Sequence, residues 1–202
     1  MARVFAKGVI YMRIMIVAIS ICLLTACQFT EQPKTAKTID MYNQEGDMVG
    51  TAKLAEDPNG VKVTLKVEGL TPGYHGVHVH EIAECVHPDF KSAGNHFNPE
   101  QKEHGLLNPK GSHLGDLPNV EADLSGKVDE ELTIDDATLM EGKNSLTDSG
   151  GTSLVISSDP DDGMTQISGN SGERIMCGEI KEEEGQADEE TPTDPTEKRE
   201  EK

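Results

Sequence analysis

The sequence contains no tryptophan, and only 3% of its 202 residues are aromatic. Basic residues are also scarce, because 18 lysines and arginines stand against 37 aspartates and glutamates and give a formal net charge of −19. Proteins that bind nucleic acids need clustered basic side chains to displace the counterions of the phosphates. The composition therefore excludes a nucleic-acid partner and predicts a core built from small apolar residues.

Glycine and proline are abundant by contrast. The chain holds 20 glycines and 10 prolines, which is typical of many turns between short strands. Its length suits one domain of roughly 100–150 residues with extensions. Of the four cysteines, Cys22 and Cys27 lie in an apolar N-terminal segment, and Cys85 and Cys177 lie far apart. The second pair could form one long-range disulfide if the protein is exported.

The N-terminus has the features of a secretory signal. An apolar run covers residues 14–26, and it follows three basic residues, Arg3, Lys7 and Arg13. Such a run is too short to span a bilayer, so we expect export rather than a transmembrane helix. A buried helix is the alternative, and a start at Met12 would leave an equally good, shorter signal.

The signal ends in the sequence LTAC at residues 24–27, which resembles a bacterial lipobox. This resemblance implies cleavage before Cys27 and attachment of lipid to its thiol. We therefore predict a lipoprotein signal peptide over residues 1–27 and a polar tether over residues 28–37. The predicted location is extracytoplasmic, with the membrane as a partner through the lipid anchor.

Short stretches of alternating apolar and polar residues predict β-strands. In the clearest of them, apolar residues at 61, 63, 65 and 67 follow the hairpin turn Asn59-Gly60. Further runs lie at residues 77–80, 120–124, 128–134, 153–157 and 173–180. Together they indicate about eight strands and an all-β fold. Residues 181–202 are acidic and almost without apolar side chains, so we expect a disordered tail there.

All seven histidines lie between residues 75 and 113, and most belong to a long stretch, 81–118, without periodicity. A loop of this length needs a structural or functional reason. His78 and His80 are two residues apart, so on a strand both rings project from one face. Paired imidazoles on a rigid surface suit copper or zinc, and an ordinary polar strand face is the alternative.

Three further histidines and one aspartate form a second candidate metal set, which consists of His96, His104, His113 and Asp116. Three imidazoles and a carboxylate give zinc its four tetrahedral ligands and leave no open position, as structural zinc sites require. Such a site would fix the long loop and contribute directly to folding. The alternative is that these histidines are solvated loop residues.

Five motifs resemble, in order and spacing, those of the copper/zinc superoxide dismutases. They are GVHVHE at residues 76–81, SAGNHFNP at 92–99, HG at 104–105, HLGDL at 113–117 and GNSGERIMCG at 169–178. The resemblance covers a domain over residues 38–180. It implies an eight-stranded Greek-key β-barrel, or sandwich, with a long metal-binding loop.

The resemblance also implies roles for individual residues. Copper would be held by His78, His80 and His96. Zinc would be held by His96, His104, His113 and Asp116, so that His96 bridges the two ions. The remaining implied features are a disulfide between Cys85 and Cys177, an anion-orienting Arg174, and an Asp161 that hydrogen-bonds two of the ligating histidines.

The activity implied by the resemblance is the conversion of superoxide to oxygen and hydrogen peroxide by an enzyme that uses copper and zinc. Ser157 departs from the family's pattern, because it stands where a fourth copper histidine is expected. A serine hydroxyl is a poor ligand for cuprous copper, so we expect weaker copper binding and impaired activity. His87, Met164 and Met176 are the candidate substitutes. The alternative function is a non-catalytic, zinc-stapled protein that binds or senses copper. Nothing in the sequence indicates an oligomeric state.

Overall fold

A computed structural model describes residues 36–182 of the chain. This part forms nine strands, which are β1 (Ala36–Asn43), β2 (Met48–Asp57), β3 (Gly60–Glu68), β4 (Gly73–His75), β5 (Val77–His80), β6 (Val120–Ala122), β7 (Lys127–Asp135), β8 (Thr152–Ser157) and β9 (Arg174–Ile180). Two single-turn 3-10 helices lie at Lys91–Ala93 and Asp148–Gly150. Within residues 36–182, no helix has the length and apolar character needed to cross a membrane.

The strands form one curled seven-stranded sheet, in the order β5-β8-β9-β1-β2-β3-β7, and a two-stranded sheet of β4 and β6. All of the pairings are antiparallel, and several join strands that are distant in the sequence, as in a Greek key. The predicted all-β Greek-key barrel with a long metal-binding loop is confirmed. The chain forms nine strands rather than about eight, because the segment after the Pro72-Gly73 turn pairs with β6 as a separate short strand.

The boundaries of the barrel lie close to those expected. β1 begins at Ala36, so the last two residues of the predicted tether belong to the sheet. β9 ends at Ile180, the predicted end of the domain. The predicted signal peptide with Cys27, and residues 183–202 of the predicted tail, lie outside the described residues.

The core follows from the alternation along β3. Val61, Val63, Leu65 and Val67 are buried, and they pack in one cluster with apolar residues of the other strands. On the outer face, Lys62 and Lys66 form exposed ion pairs with Glu131 and Asp129 of β7. Exposed pairs of this kind contribute little stability, so burial of the inner face holds the sheet together.

The same alternation places the first histidine pair. Val77 and Val79 of β5 enter the core, while His78 and His80 project from the opposite face. The segment between β5 and β6 runs along the free edge of β5, where His78 forms a β-bridge with Asp116 and His80 forms one with His96. The side chains of both histidines are buried.

A disulfide attaches this loop to the last strand. Cys85 and Cys177 are bonded, with their Cα atoms 5.7 Å apart and a separation of 92 positions in the sequence. The predicted pairing is confirmed. The bond fixes the beginning of the loop to β9, which also carries Arg174.

Candidate metal centre

Five imidazole rings lie together where the long loop covers β5. His78 and His96 are stacked with their ring centroids 4.0 Å apart, and His80 lies 4.9 Å from His96. His104 and His113 lie 5.1 and 5.5 Å from His96. The structure thus brings together all five histidines that the sequence singles out, with His96 in the middle.

The candidate zinc ligands His96, His104, His113 and Asp116, called the zinc set below, meet at one carboxylate oxygen. The Nδ1 atoms of His96, His104 and His113 lie 2.9, 3.0 and 3.3 Å from Oδ1 of Asp116. Ligand atoms bound tetrahedrally at about 2.0–2.1 Å from a zinc ion would be about 3.3–3.4 Å apart. The other oxygen, Oδ2, accepts backbone N–H groups from Gly105 at 2.9 Å and His113 at 3.0 Å. The four side chains therefore fit a closed zinc site.

Burial sets the charges in this cluster. It lowers the pKa of His96 from 6.5 to about 4 and lowers the pKa of His80 well below its usual value. Burial raises the pKa of Asp116, but hydrogen bonding to the His113 and His96 rings and to the Gly105 N–H outweighs it, so this pKa is well below its usual range. The lowered pKa values favour neutral rings on His80 and His96 and an ionised carboxylate on Asp116, which are the forms that bind metal.

The candidate copper ligands His78, His80 and His96, called the copper set below, each use one ring nitrogen in a contact with a protein oxygen and have the other nitrogen available for a metal. His78 donates from Nε2 to Oδ2 of Asp161 at 2.7 Å, and its Nδ1 atom is buried without a hydrogen-bond partner. His80 donates from Nδ1 to the carbonyl oxygen of Gly94 at 3.1 Å, which leaves Nε2 for a metal. Because His96 faces Asp116 through Nδ1, its Nε2 atom is the third nitrogen. These three imidazoles fit a copper ion.

The two sets are adjacent. One ligand atom from each of His78, His96, His104 and Asp116 lies within 4.8 Å of the other three. This group takes His78 from the copper set and the rest from the zinc set. Two ions held here would share the His96 ring.

Asp161 connects the two sets from behind. Its carboxylate accepts from Nε2 of His78 at 2.7 Å and from Nε2 of His104 at 3.0 Å. Burial raises the pKa of Asp161, but the hydrogen bond from His78 leads the effects that lower it overall. The side-chain amide of Asn119 bonds both the N–H and the carbonyl of Asp161, at 2.8 and 2.9 Å. A carboxylate that accepts hydrogen bonds from ligating rings, as Asp161 does, fixes their tautomer and orientation.

Arg174 is held by the loop that the disulfide attaches. Its Nη1 and Nη2 atoms donate to the carbonyl oxygens of Phe90 and Gly94, both at 2.8 Å. The Gly94 carbonyl therefore accepts from Arg174 and from His80. The guanidinium lines one cavity together with His96, His113 and Ile167. A fixed positive charge thus faces the cavity beside the imidazoles.

Ser157 ends β8 and is buried, with 3% of its surface exposed. Its N–H donates to the carbonyl oxygen of Gly76, and its own carbonyl accepts from Nδ1 of His75, both at 2.9 Å. Among the candidate substitutes, Met176 packs in the barrel core, His87 lies beside Gly46, and Met164 is 49% exposed. Nothing in their placement marks any of them as a replacement ligand.

The fold and the site define a class. A Greek-key β-barrel that gathers five imidazoles and a carboxylate beside an anchored arginine is built to hold zinc and a redox-active ion such as copper side by side. Residues 48–180 match the family model described as copper/zinc superoxide dismutase (SODC). The chain belongs to this family, whose metals are copper and zinc.

Similar proteins include enzymes and one protein named only as dismutase-like. The chain is 46% identical over 144 residues to superoxide dismutase [Cu-Zn] 1 of Aquifex aeolicus, covering 70% of this chain and 85% of the relative. It is 43% identical over 145 residues to the superoxide dismutase-like protein YojM of Bacillus subtilis, covering 70% and 74%.

The chain is also similar to solved structures of a dismutase and of a dismutase-like protein. A crystal structure of a superoxide dismutase-like protein from Bacillus subtilis has a TM-score of 0.69 and 41% identity, covering 71% of this chain and 97% of that one. The copper/zinc superoxide dismutase from Brucella abortus has a TM-score of 0.59 and 30% identity, covering 72% and 99%.

Proposed function

We propose that this protein is an extracytoplasmic superoxide dismutase, tethered to a membrane through lipid on Cys27 and limited in activity by Ser157. Superoxide is the substrate, and oxygen and hydrogen peroxide are the products. The observation that carries the proposal is the position of Arg174, which shares a cavity with His96 beside the copper set. A structural zinc site alone would have no need of that arginine.

The chain's own residues supply position and charge. Three imidazoles, those of His78, His80 and His96, would hold copper, and the His96 ring lines the cavity that Arg174 also lines. Copper, when bound, supplies the alternation of oxidation state that takes an electron from one superoxide and gives it to the next. The Arg174 guanidinium attracts and orients the anion, and its two bonds to backbone carbonyls keep it from turning away.

Proton supply and rigidity are assigned to the bridging ring and its neighbours. Nε2 of His96 would ligate copper, and whenever that nitrogen is free of metal it can hold a proton close to the bound anion. On the other side, Asp116 fixes the ring through Nδ1 at 2.9 Å. Zinc would hold His96, His104, His113 and Asp116 in one rigid unit, which is a structural role.

The proposed location rests on the N-terminal sequence. Residues 1–27 combine basic residues, an apolar run and a lipobox-like LTAC ending. The disulfide between Cys85 and Cys177 supports this location, because such bonds persist in oxidising compartments. The polar residues after Cys27 would then hold the barrel off the membrane surface.

One observation favours a second candidate function, a zinc-stapled protein that binds or senses copper without significant catalysis. Ser157 removes one nitrogen ligand, and a three-imidazole site has lower copper affinity and an altered redox potential. The similarity to a Bacillus subtilis protein named superoxide dismutase-like supports this candidate. The zinc set would be unchanged in such a protein.

Reconstitution decides between the two candidates. Residues 28–202 would be loaded with copper and zinc, after which bound metal and superoxide consumption are measured together. The enzyme function predicts bound copper and a consumption rate that falls when Arg174→Gln is introduced, whereas Lys127→Gln, the matched removal of a distant positive charge, leaves the rate unchanged. Copper and zinc both bound, with no superoxide consumption by the protein, would rule out the enzyme function and support the second candidate. Zinc retained with copper near zero would contradict both candidates.

A further inference from the structure

Gln166 makes an unusual pair of contacts with one zinc-set residue. Its side-chain Oε1 accepts the backbone N–H of His104 at 2.9 Å, and its Nε2 donates to the backbone carbonyl of His104, also at 2.9 Å. The two residues are 62 positions apart in the sequence. One side-chain amide therefore satisfies both backbone polar groups of His104, much as a neighbouring strand would.

His104 needs such support because it lies in the long loop between β5 and β6, where no strand fixes its backbone. Both nitrogens of its ring have a partner, since Nδ1 contacts Asp116 and Nε2 contacts Asp161. The ring position consequently depends on where the backbone at residue 104 is held. His104 is fully buried, so a backbone N–H without a partner would be costly there.

The segment that contains Gln166 closes tightly on the same part of the loop. Gly105 lies so close to Gly163 that a Cβ atom on Gly105 would meet the Gly163 carbonyl oxygen at 2.1 Å. Leu107 donates its N–H to the same carbonyl oxygen at 3.1 Å. Asn108 also donates to the His104 carbonyl, at 3.0 Å, but among residues 36–182 only Gln166 accepts the His104 N–H.

We propose that Gln166 is a positioning residue for the zinc site, which acts by holding the backbone of His104 so that its Nδ1 atom points at the ion. This role rests on the zinc assignment made under the proposed function and deepens it. It assigns a task to residues 162–169, a short segment between the Asp161 carboxylate and the last strand. The amide acts without touching the metal.

The test compares zinc binding by the full-length protein and by Gln166→Met, which keeps the length of the side chain and removes both hydrogen bonds. Competition with a chromophoric chelator gives the zinc affinity, and cobalt(II) placed in the zinc site reports ligand geometry through its visible absorption spectrum. We expect a loss of affinity of about tenfold, the lower end for residues that orient ligands, and an altered cobalt spectrum. Met164→Ala, an exposed neighbour, should change neither quantity.

A second variant is included in case Gln166→Met fails to fold. Gln166→Glu keeps an acceptor for the His104 N–H but replaces the donor, so an intermediate loss of zinc affinity is expected. Wild-type affinity and an unchanged cobalt spectrum in both variants would overturn the proposal. So would an equal loss in Met164→Ala, because that would indicate general loosening of the segment.

The outcome is separable from that of the proposed function. A wild-type protein that binds zinc through His104 but consumes no superoxide would contradict the enzyme function and leave the role of Gln166 standing. A wild-type protein that binds no zinc at this site would contradict both.

Discussion

Ser157 is held by its backbone in a way that does not depend on its side chain. The N–H bonds the Gly76 carbonyl and the carbonyl bonds His75, so β8 ends at a fixed point beside β5. A larger side chain at this position would therefore begin from a defined Cα. At this copper position, only the side chain of residue 157 departs from the family's pattern, because β8, the strand that would carry a fourth histidine, is present.

This gives a prediction for Ser157→His. Because it adds a fourth imidazole at the family's ligand position, copper affinity should rise by about tenfold or more, and superoxide consumption should rise with it. Equilibrium competition for copper and a superoxide assay measure the two effects. Ser158→His is the matched control, since that neighbour is half-buried and its hydroxyl bonds Asp159 and the N–H of Glu173. No gain from Ser157→His over Ser158→His would show that residue 157 does not face the copper set.

The buried histidines predict how the metal-free protein responds to acid. Burial lowers the pKa of His96 from 6.5 to about 4, so below about pH 6.5 the unfolded chain takes up a proton that the folded chain does not. Stability is therefore retained above this range and lost as the pH falls toward 4. Thermal unfolding of the metal-free protein should show a falling midpoint between about pH 7 and pH 5.

Two variants check the assignment of this acid response. His96→Gln should weaken the dependence, because one of the two buried rings whose pKa is lowered by burial is gone while His80 remains. His87→Gln, which removes an exposed histidine, should leave the dependence as it is. A midpoint that stays constant through this range in the wild type would contradict the account.

At this scale, sequence reasoning reached the histidines and the aspartate that the structure brings together in the candidate metal centre, because the types and spacing of metal ligands are constrained by coordination chemistry. It did not reach Asn119 and Gln166. Both act by pairing a side-chain amide with a distant backbone, and any backbone offers the same two groups. No local pattern in the sequence marks such a contact.

Among the elements, β3 and β5 follow from the alternation of apolar and polar residues, whereas the segment between β5 and β6 does not. Its shape depends on contacts made far along the chain, namely the bridges from β5 and the bond from Cys85 to β9. Periodicity carries no information about such contacts. The sequence therefore predicts a loop that needs fixing, and only the structure shows how it is fixed.

Gly105 tests how closely that loop is packed. Its φ of +112° disfavours any other residue, and a Cβ there would meet the Gly163 carbonyl oxygen at 2.1 Å. Gly73 has a comparable φ of +124° but open space around it. Gly105→Ala should therefore lower the free energy of unfolding of the zinc-loaded protein by about 2 kcal/mol or more beyond the effect of Gly73→Ala. Denaturant titration measures both, and equal losses would contradict the packing described.

For the whole molecule, net charge and the proposed lipid anchor determine the conditions under which the site would work. Removal of residues 1–26 takes away three basic and no acidic residues, so the formal charge changes from −19 to −22. A field of this sign repels superoxide at long range, but salt screens distant charges beyond about 8–10 Å. Within that distance Arg174 places a positive charge at the cavity, and its two hydrogen bonds to backbone carbonyls hold it there.

The anchor leads to a prediction for the full-length protein in bacterial cells. With lipid on Cys27, the protein should fractionate with membranes and incorporate labelled fatty acid. Cys27→Ser should abolish labelling and reduce the membrane-bound fraction strongly, because one modified thiol carries the anchor. Cys22→Ser, a cysteine inside the same apolar run, should behave as the wild type does. Retention of label in Cys27→Ser would contradict the lipoprotein assignment.

The central claim is that five imidazoles and Asp116 converge on two adjacent ions that share the ring of His96. X-ray data collected on crystals of the metal-loaded protein, above and below the copper and zinc absorption edges, test it most directly. The account predicts two anomalous peaks on opposite sides of the His96 ring, copper beside His78 and His80, and zinc beside His104, His113 and Asp116. A single peak, or rings that point away from one another, would contradict it.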